Sequence, residues 1–125
     1  MKEKVAILGA SQNHQRYSYM ALKMLQDYGH QPFPVNPGIS EIDGVAVTAK
    51  LSDLAKEKID TVTLYVNPET LEKNLDEILK VKPRRVIFNP GTESEKVKAK
   101  LEAAGIHTLE ACTLVLLRTN QFEES

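Results

Sequence analysis

With one cysteine in 125 residues, Cys112, the chain can form no internal disulfide and has no thiol cluster for a metal. Charge of either sign is not in excess: net charge is −1 with 26% charged residues, which gives no broad basic field for nucleic acid or an anionic membrane. No apolar run approaches the ~20 residues that span a bilayer. The opening Met1-Lys2-Glu3-Lys4 is followed by too few apolar residues for a signal-peptide core. These absences predict a cytoplasmic protein with neither a nucleic-acid nor a membrane partner. Linkers, repeats and low-complexity tracts are missing as well, so residues 1–125 read as one domain, long enough for a real core. The three histidines, His14, His30 and His107, are scattered, and no metal site is expected from their spacing.

What is present begins with Lys4-Val5-Ala6-Ile7-Leu8-Gly9-Ala10-Ser11. Val5 to Leu8 show no polar alternation, as in a parallel strand covered on both faces. Gly9 permits a sharp turn, Ala10 and Ser11 are small, and a helix following them would direct its free N–H groups to the same spot. That geometry suits an anion, and Arg16 is the nearest basic group to pair with a phosphate, with an exposed arginine at a helix start as the other reading.

The remaining chain alternates strand-like and helix-like runs. Tyr17, Met20, Ala21, Met24, Leu25 and Tyr28 have helical spacing, with Gly29 as the stop. Gln31 to Val35 is a second strand, and Pro32 and Pro34 predict that it lies near an edge or turns its proline nitrogens away from its neighbour. Val45 to Val47 reads as a short strand, and Ser52 as the cap of a short helix reaching about Lys58. Thr61 to Val66 is a strand rich in β-branched residues. Asn67 and Pro68 start a helix with Leu71, Leu75, Ile78 and Leu79 on its apolar face. Arg85 to Phe88 is the next strand, and Thr92 with Glu95 forms a capping box for a helix whose inner face is Val97, Leu101 and Ala104. Ile106 to Leu109 is the last strand, and Thr113 to Leu117 is read as a short helix, with an added strand as the alternative; its apolar Leu114–Leu117 stretch offers a face to a second copy or a protein partner.

The predicted fold class is therefore α/β: a single Rossmann-like domain with a mostly parallel sheet of five to six strands and helices on both faces. Ligands of such sheets lie beyond the carboxyl ends of the strands. Those ends carry Gly9-Ala10-Ser11, Asn36-Pro37, Asn67-Pro68 and Asn89-Pro90-Gly91, a polar rim with little charge. Turn and capping chemistry explains each Asn-Pro pair equally well. Gly9-Ala10-Ser11 lacks the second and third glycines of Gly-x-Gly-x-x-Gly, and Val35 and Asn36 stand where a ribose-binding acid would end the second strand. Cys112, among apolar neighbours, reads as a buried structural thiol, with a nucleophile as the alternative. Glu93, Glu95 and Glu110 are too scattered for an acid/base pair, and no catalytic constellation assembles.

Several stretches together resemble the small stand-alone CoA-binding proteins, which are similar to the N-terminal domain of the succinyl-CoA synthetase α subunit. These are Val5 to Ser11 with Asn13 and Arg16-Tyr17-Ser18, Gly29-His30 with Pro34-Val35-Asn36-Pro37, Ile59 to Val62, and Glu110 to Val115. The resemblance implies a Rossmann-like domain holding coenzyme A on the strand-end rim. By position, Gly9, Ala10, Ser11, Asn13 and Arg16 would hold the phosphates, and Val35, Asn36 and Pro37 would border the adenine and ribose. Val66, Asn67 and Pro68 would line the path toward the pantetheine arm, beside Asn89, Pro90 and Gly91. The synthetase turn is richer in glycine and carries a lysine, where Arg16 is the basic group here. The synthetase phosphohistidine belongs to a separate domain, so no reaction comes with the resemblance. The resulting expectation is a CoA or acyl-CoA binding protein without catalysis of its own, a sensor, carrier or regulatory partner. The alternatives are a small NAD(P)-linked oxidoreductase or redox sensor, and a mixed disulfide between Cys112 and the CoA thiol.

Overall fold

The structure is a computed structural model that describes residues 2–123; Met1, read above with the amino-terminal stretch, lies outside them, as do residues 124–125. The chain runs β1 (Lys4–Leu8), α1 (Tyr17–Asp27), β2 (Gln31–Val35), a hairpin of β3 (Glu41–Ile42) and β4 (Val45–Ala46), and a 3-10 turn at Leu51–Leu54. It continues through β5 (Thr61–Leu64), α2 (Pro68–Lys73), α3 (Leu75–Val81), β6 (Arg85–Phe88), α4 (Glu95–Ala103), β7 (His107–Glu110) and α5 (Thr113–Arg118). Five strands form one parallel sheet in the order β2-β1-β5-β6-β7. After β2 the chain crosses to the other side of β1, so the winding reverses between β1 and β5, the switch point of a flavodoxin-like order.

Alternating side chains supply the two covered faces. Ala6, Leu8, Val62, Leu64, Val86 and Phe88 pack in one cluster with Leu71, Ile78, Val97 and Leu101 of α2, α3 and α4. Val5, Ile7 and Ile87 pack in the other with Leu22, Leu25 and Leu117 of α1 and α5. The proline-bearing β2 is an edge strand. Gln31 donates its N–H to the Glu3 carbonyl, so odd-numbered nitrogens of β2 face β1 and both proline nitrogens face outward.

Several local expectations are corrected by packing. On α1 the buried face is Ser18, Ala21, Leu22 and Leu25, whereas Tyr17 is 68% exposed, because the helix presents its small and branched residues to the sheet. The Leu71–Leu79 run is two helices broken at Asn74, whose Nδ2 donates to the Thr70 carbonyl. Ser94, not Thr92, caps α4 by accepting the Val97 N–H, and the Thr92 hydroxyl instead donates back to the Asn89 carbonyl. Ala104 lies beyond the end of α4 and is exposed. Ser52 caps nothing: the turn at Leu51–Leu54 has no side-chain cap, and β4 pairs antiparallel with β3 outside the main sheet. The last strand ends one residue later than its apolar run, at Glu110, and β5 ends two residues earlier, at Leu64.

The amino ends of the strands are closed by a buried ionic cluster. Arg85, fully buried, donates from Nε to Thr61 Oγ1 at 2.7 Å and from Nη2 to both Glu3 oxygens at 3.3 Å. Glu3 also accepts from Thr61 Oγ1 and Arg84 Nη2, and Phe122 lies against the Arg85 guanidinium. A buried cation left without its carboxylate is strongly unfavourable. Glu3→Ala should therefore lower unfolding free energy by roughly 3–5 kcal/mol, read from urea unfolding. A loss of the small size that removing Glu110, partner of Lys98 at 3.9 Å on the surface, should give would refute that role.

His30 joins the same end, its Nδ1 accepting the Glu3 N–H at 3.0 Å. Burial lowers its pKa below the ordinary 6.5; Glu3 opposes that shift, Lys2 adds to it and Glu123 opposes it. Because the folded pKa is the lower one, protons bind the unfolded chain preferentially. The stabilising contribution is fully present above about pH 6.5 and is lost as pH falls toward the folded value. Urea midpoints should decline on acidification through this window, and His30→Asn should flatten the decline; an unchanged slope in the variant would contradict the assignment.

Candidate functional site

At the carboxyl ends of the strands the surface opens into three clefts that share walls. The central one, about 590 Å³, lies at the switch point and is lined by Gly9, Ala10, Ser11, Gln15, Arg16, Tyr17, Ser18, Asn36 and Tyr65. Through Gly9 and Asn36 it joins an outer cleft of about 460 Å³ over β2, whose walls include Val35, Pro37, Lys50, Val66, Thr70, Asn74 and Glu77. Through Tyr17 and Tyr65 it joins a third cleft of about 350 Å³, with Asn89, Pro90, Cys112, Leu114, Val115 and Arg118. The three form one trough across the rim.

Local sequence builds the central cleft. Gly9 takes φ +93°, and a Cβ there would sit 2.5 Å from the Tyr65 carbonyl oxygen, so only glycine lets the end of β1 lie against the chain leaving β5. The Gly9 and Ala10 N–H groups both donate to the Val35 carbonyl, turning the chain sharply away from the sheet. The following turn is held from within: Asn13 donates its N–H to Ser11 Oγ and accepts the Gln15 N–H on Oδ1. α1 then begins with Arg16 as its N-cap, no side chain accepting from its first N–H groups and no acidic residue in its first turn. Among the described residues the N–H groups of Tyr17 and Ser18 have no acceptor and the Arg16 guanidinium has no ion-pair partner, so the helix end presents uncompensated positive charge to the cleft.

The three Asn-Pro pairs of the rim have different places. Asn36 donates Nδ2–H to the Ala10 carbonyl at 2.7 Å and accepts the Gly38 N–H, which ties the end of β2 to the turn after β1. Asn89 is buried: it donates to Thr63 Oγ1 and the Leu64 carbonyl, and accepts the Thr113 N–H, joining β5, β6 and α5. Asn67 accepts the Thr70 N–H as the N-cap of α2, with Pro68 in its first turn, and neither lines the trough. Asn13 and Gly91 line none of the three clefts either; the Gly91 N–H donates to Glu93. The other ten residues singled out on the rim line the trough: Gly9, Ala10, Ser11, Arg16, Val35, Asn36, Pro37, Val66, Asn89 and Pro90.

Sequence reasoning missed Tyr65, because the β-branched run was extended to Val66 and hid the residue at the switch point. Its hydroxyl is buried and among the described residues meets no partner in hydrogen-bond geometry. Burial pushes its pKa up to about 12; Thr113 pulls the other way, Cys112 adds to the rise and Thr63 opposes it. Cys112 is half-buried at the start of α5 and faces the third cleft, where the sequence pattern had suggested a thiol enclosed in the core. Among the described residues Glu77 is the only carboxylate that lines the trough, and its Oε1 accepts the Ser52 N–H at 3.0 Å. Among the described residues no group of three or more His, Cys, Asp or Glu could hold a metal, and no helix is long and apolar enough to cross a membrane.

Residues 3–118 match the family model described as a CoA binding domain. The chain belongs to this family. It is 29% identical over 103 residues to the uncharacterized protein YneT of Bacillus subtilis, covering 82% of this chain and 76% of that protein. It is also 31% identical over 75 residues to an ADP-forming acetate–CoA ligase of Methanocaldococcus jannaschii, covering 60% of this chain but only 10% of the ligase. Among solved structures, a conserved hypothetical protein from Pyrococcus furiosus superposes with a TM-score of 0.82 at 32% identity, over 90% of this chain and 97% of that one. The matched residues take in all five strands of the parallel sheet and nearly the whole described chain.

The polar network beneath the rim predicts a contrast between two neighbouring residues. Asn89→Ala leaves the buried Thr113 N–H and Thr63 hydroxyl short of partners, and should lower stability by on the order of 3 kcal/mol. Tyr65→Phe removes a hydroxyl without a partner and should leave the unfolding midpoint unchanged or raise it. Chemical unfolding of both variants checks this, and a larger loss from Tyr65→Phe than from Asn89→Ala would reverse the assignment.

Proposed function

We propose that this protein binds coenzyme A, or an acyl thioester of it, along the rim trough, and holds it without catalysing a reaction, as a sensor, carrier or regulatory partner. The observation that carries this reading is the uncapped start of α1 at the switch point, where free N–H groups and the unpaired Arg16 border a cleft that opens on both sides. A pyrophosphate suits the centre of such a trough, since it is anionic and accepts from backbone N–H groups and a guanidinium together. The outer cleft, with Val35, Pro37 and Val66 as apolar walls, suits a flat base, and the third cleft, with Tyr17, Leu114 and Val115, suits the pantetheine arm and an acyl group. Membership of the CoA binding domain family and the similarity to an acetate–CoA ligase favour this ligand.

The dinucleotide alternative gains no support at the end of β2. Asn36 occupies the place of a ribose-binding carboxylate, and both ends of its side chain are engaged with the backbone. The non-catalytic reading rests on the lining itself: among the described residues no histidine or aspartate faces the trough, and the one carboxylate there is engaged by Ser52.

Calorimetric titration of the purified protein with CoA, acetyl-CoA and NAD tests the proposal. Saturable binding of CoA or its thioester is expected, weakened about tenfold by Arg16→Ala through loss of a charge-assisted contact. Binding of NAD with none of CoA would overturn the ligand, and protein-dependent release of free CoA from acetyl-CoA would overturn the non-catalytic role.

A further inference from the structure

The outer cleft contains a cation that the central reading does not use. Lys50 lines it, and among the described residues its ammonium has neither an ion pair nor a hydrogen bond. Its placement is fixed from both sides. Thr48 bridges to Val35 on the outer edge of β2, donating its N–H to the Pro34 carbonyl and accepting the Asn36 N–H, both at 3.0 Å. One residue beyond Lys50 the chain is anchored again, because Leu51 is fully buried, and the Lys50 carbonyl accepts the Asp53 N–H. The backbone of Lys50 therefore stands at the mouth of the cleft, with a long side chain free to reach a ligand.

The cleft's own chemistry says what the ammonium meets. Val35, Pro37 and Val66 form apolar walls, while Thr70, Asn74 and Glu77 supply polar groups on the helix side. The feature that reads a bare ribose diol in dinucleotide sites, a carboxylate ending the second strand, is replaced by Asn36, whose side chain is spent on the backbone. A ribose placed beside Asn36 meets no strand-end acid; the Lys50 ammonium lines the cleft there, and the one carboxylate among its described residues, Glu77, is on the helix side and engaged by the Ser52 N–H.

We infer that Lys50 reads a phosphate on the ribose of the bound nucleotide, so that the outer cleft selects 3′-phosphoadenosine, as in CoA, over the same nucleotide lacking that phosphate. This deepens the CoA reading and rests on it for the position of the ribose. The same chemistry would also accept the 2′-phosphate of a phosphorylated dinucleotide, and the experiment separates the two sources.

The test is a set of titrations of wild type, Lys50→Gln and Lys50→Arg with CoA, 3′-dephospho-CoA, adenosine 3′,5′-bisphosphate and NADP. Unfolding midpoints establish that the variants, altered at an exposed position, remain folded. Wild type should bind CoA about tenfold more tightly than dephospho-CoA, the value of one charge-assisted contact. Lys50→Gln should abolish that ratio by weakening CoA alone, and Lys50→Arg should keep most of it. Equal affinities of wild type for the two ligands, or a preference that survives in Lys50→Gln, would overturn the inference while leaving CoA binding intact. If CoA fails to bind but the bisphosphate or NADP binds in a Lys50-dependent way, the CoA reading falls and the ribose-phosphate reader stands. Absence of Lys50-dependent binding for all four ligands removes both.

Discussion

The end of β1 lies so close to the chain leaving β5 that a single added methyl group at Gly9 would sit 2.5 Å from the Tyr65 carbonyl oxygen. Everything on the rim depends on that approach. Because Gly9 has no side chain and adopts φ +93°, the backbone leaves the sheet at once and α1 can start against the opening between β1 and β5. The winding reverses at the same place, so no crossover connection covers the gap. The positive end of α1 and the floor of the trough are two consequences of one steric fact.

The two ends of the sheet treat charge in opposite ways. At the amino ends, Arg85, Arg84 and Glu3 satisfy one another together with Thr61, and the cluster is sealed by Phe122. A guanidinium taken wholly out of water requires such partners. At the carboxyl ends, Arg16, Lys50 and Arg118 each line one cleft of the trough and carry no ion pair among the described residues. Cations that remain hydrated and unpaired along a concave surface lose little by staying so until an anion arrives. One end therefore contributes to stability and the other is available for binding.

Much of this was legible in the chain. The alternation of strand and helix patterns, the edge position forced by Pro32 and Pro34, the turn at Gly9 and the cap at Asn67 all follow from local chemistry, and the structure has each of them. What was not legible depends on contacts distant in sequence. The inner face of α1 is decided by which residues fit the sheet, and helical spacing alone chose Tyr17 and Met20, which are exposed. Asn89 reads as a turn residue, yet its side chain is spent on Thr63, Leu64 and Thr113, more than twenty positions away in either direction. Lys50 enters the outer cleft through a bridge between Thr48 and Val35, thirteen positions apart, that no periodicity announces.

The Asn-Pro pairs show why rim residues cannot be assigned from their dipeptide. The same two letters occur after three strands, and proline already differs among them: Pro37 and Pro90 stand in turns beyond β2 and β6, whereas Pro68 opens α2. Asparagine performs three tasks: Asn36 ties two strand ends together, Asn67 caps a helix, and Asn89 satisfies a buried network linking β5, β6 and α5. In each case the amide is committed to the protein, because a turn at a strand end leaves backbone groups that need a partner. The rim's shape is thus fixed by its asparagines, and the groups that line the trough without a partner among the described residues are their neighbours: Arg16, Lys50 and the first N–H groups of α1. On this rim the polar residues most conspicuous in the sequence are the ones that hold the strand ends in place.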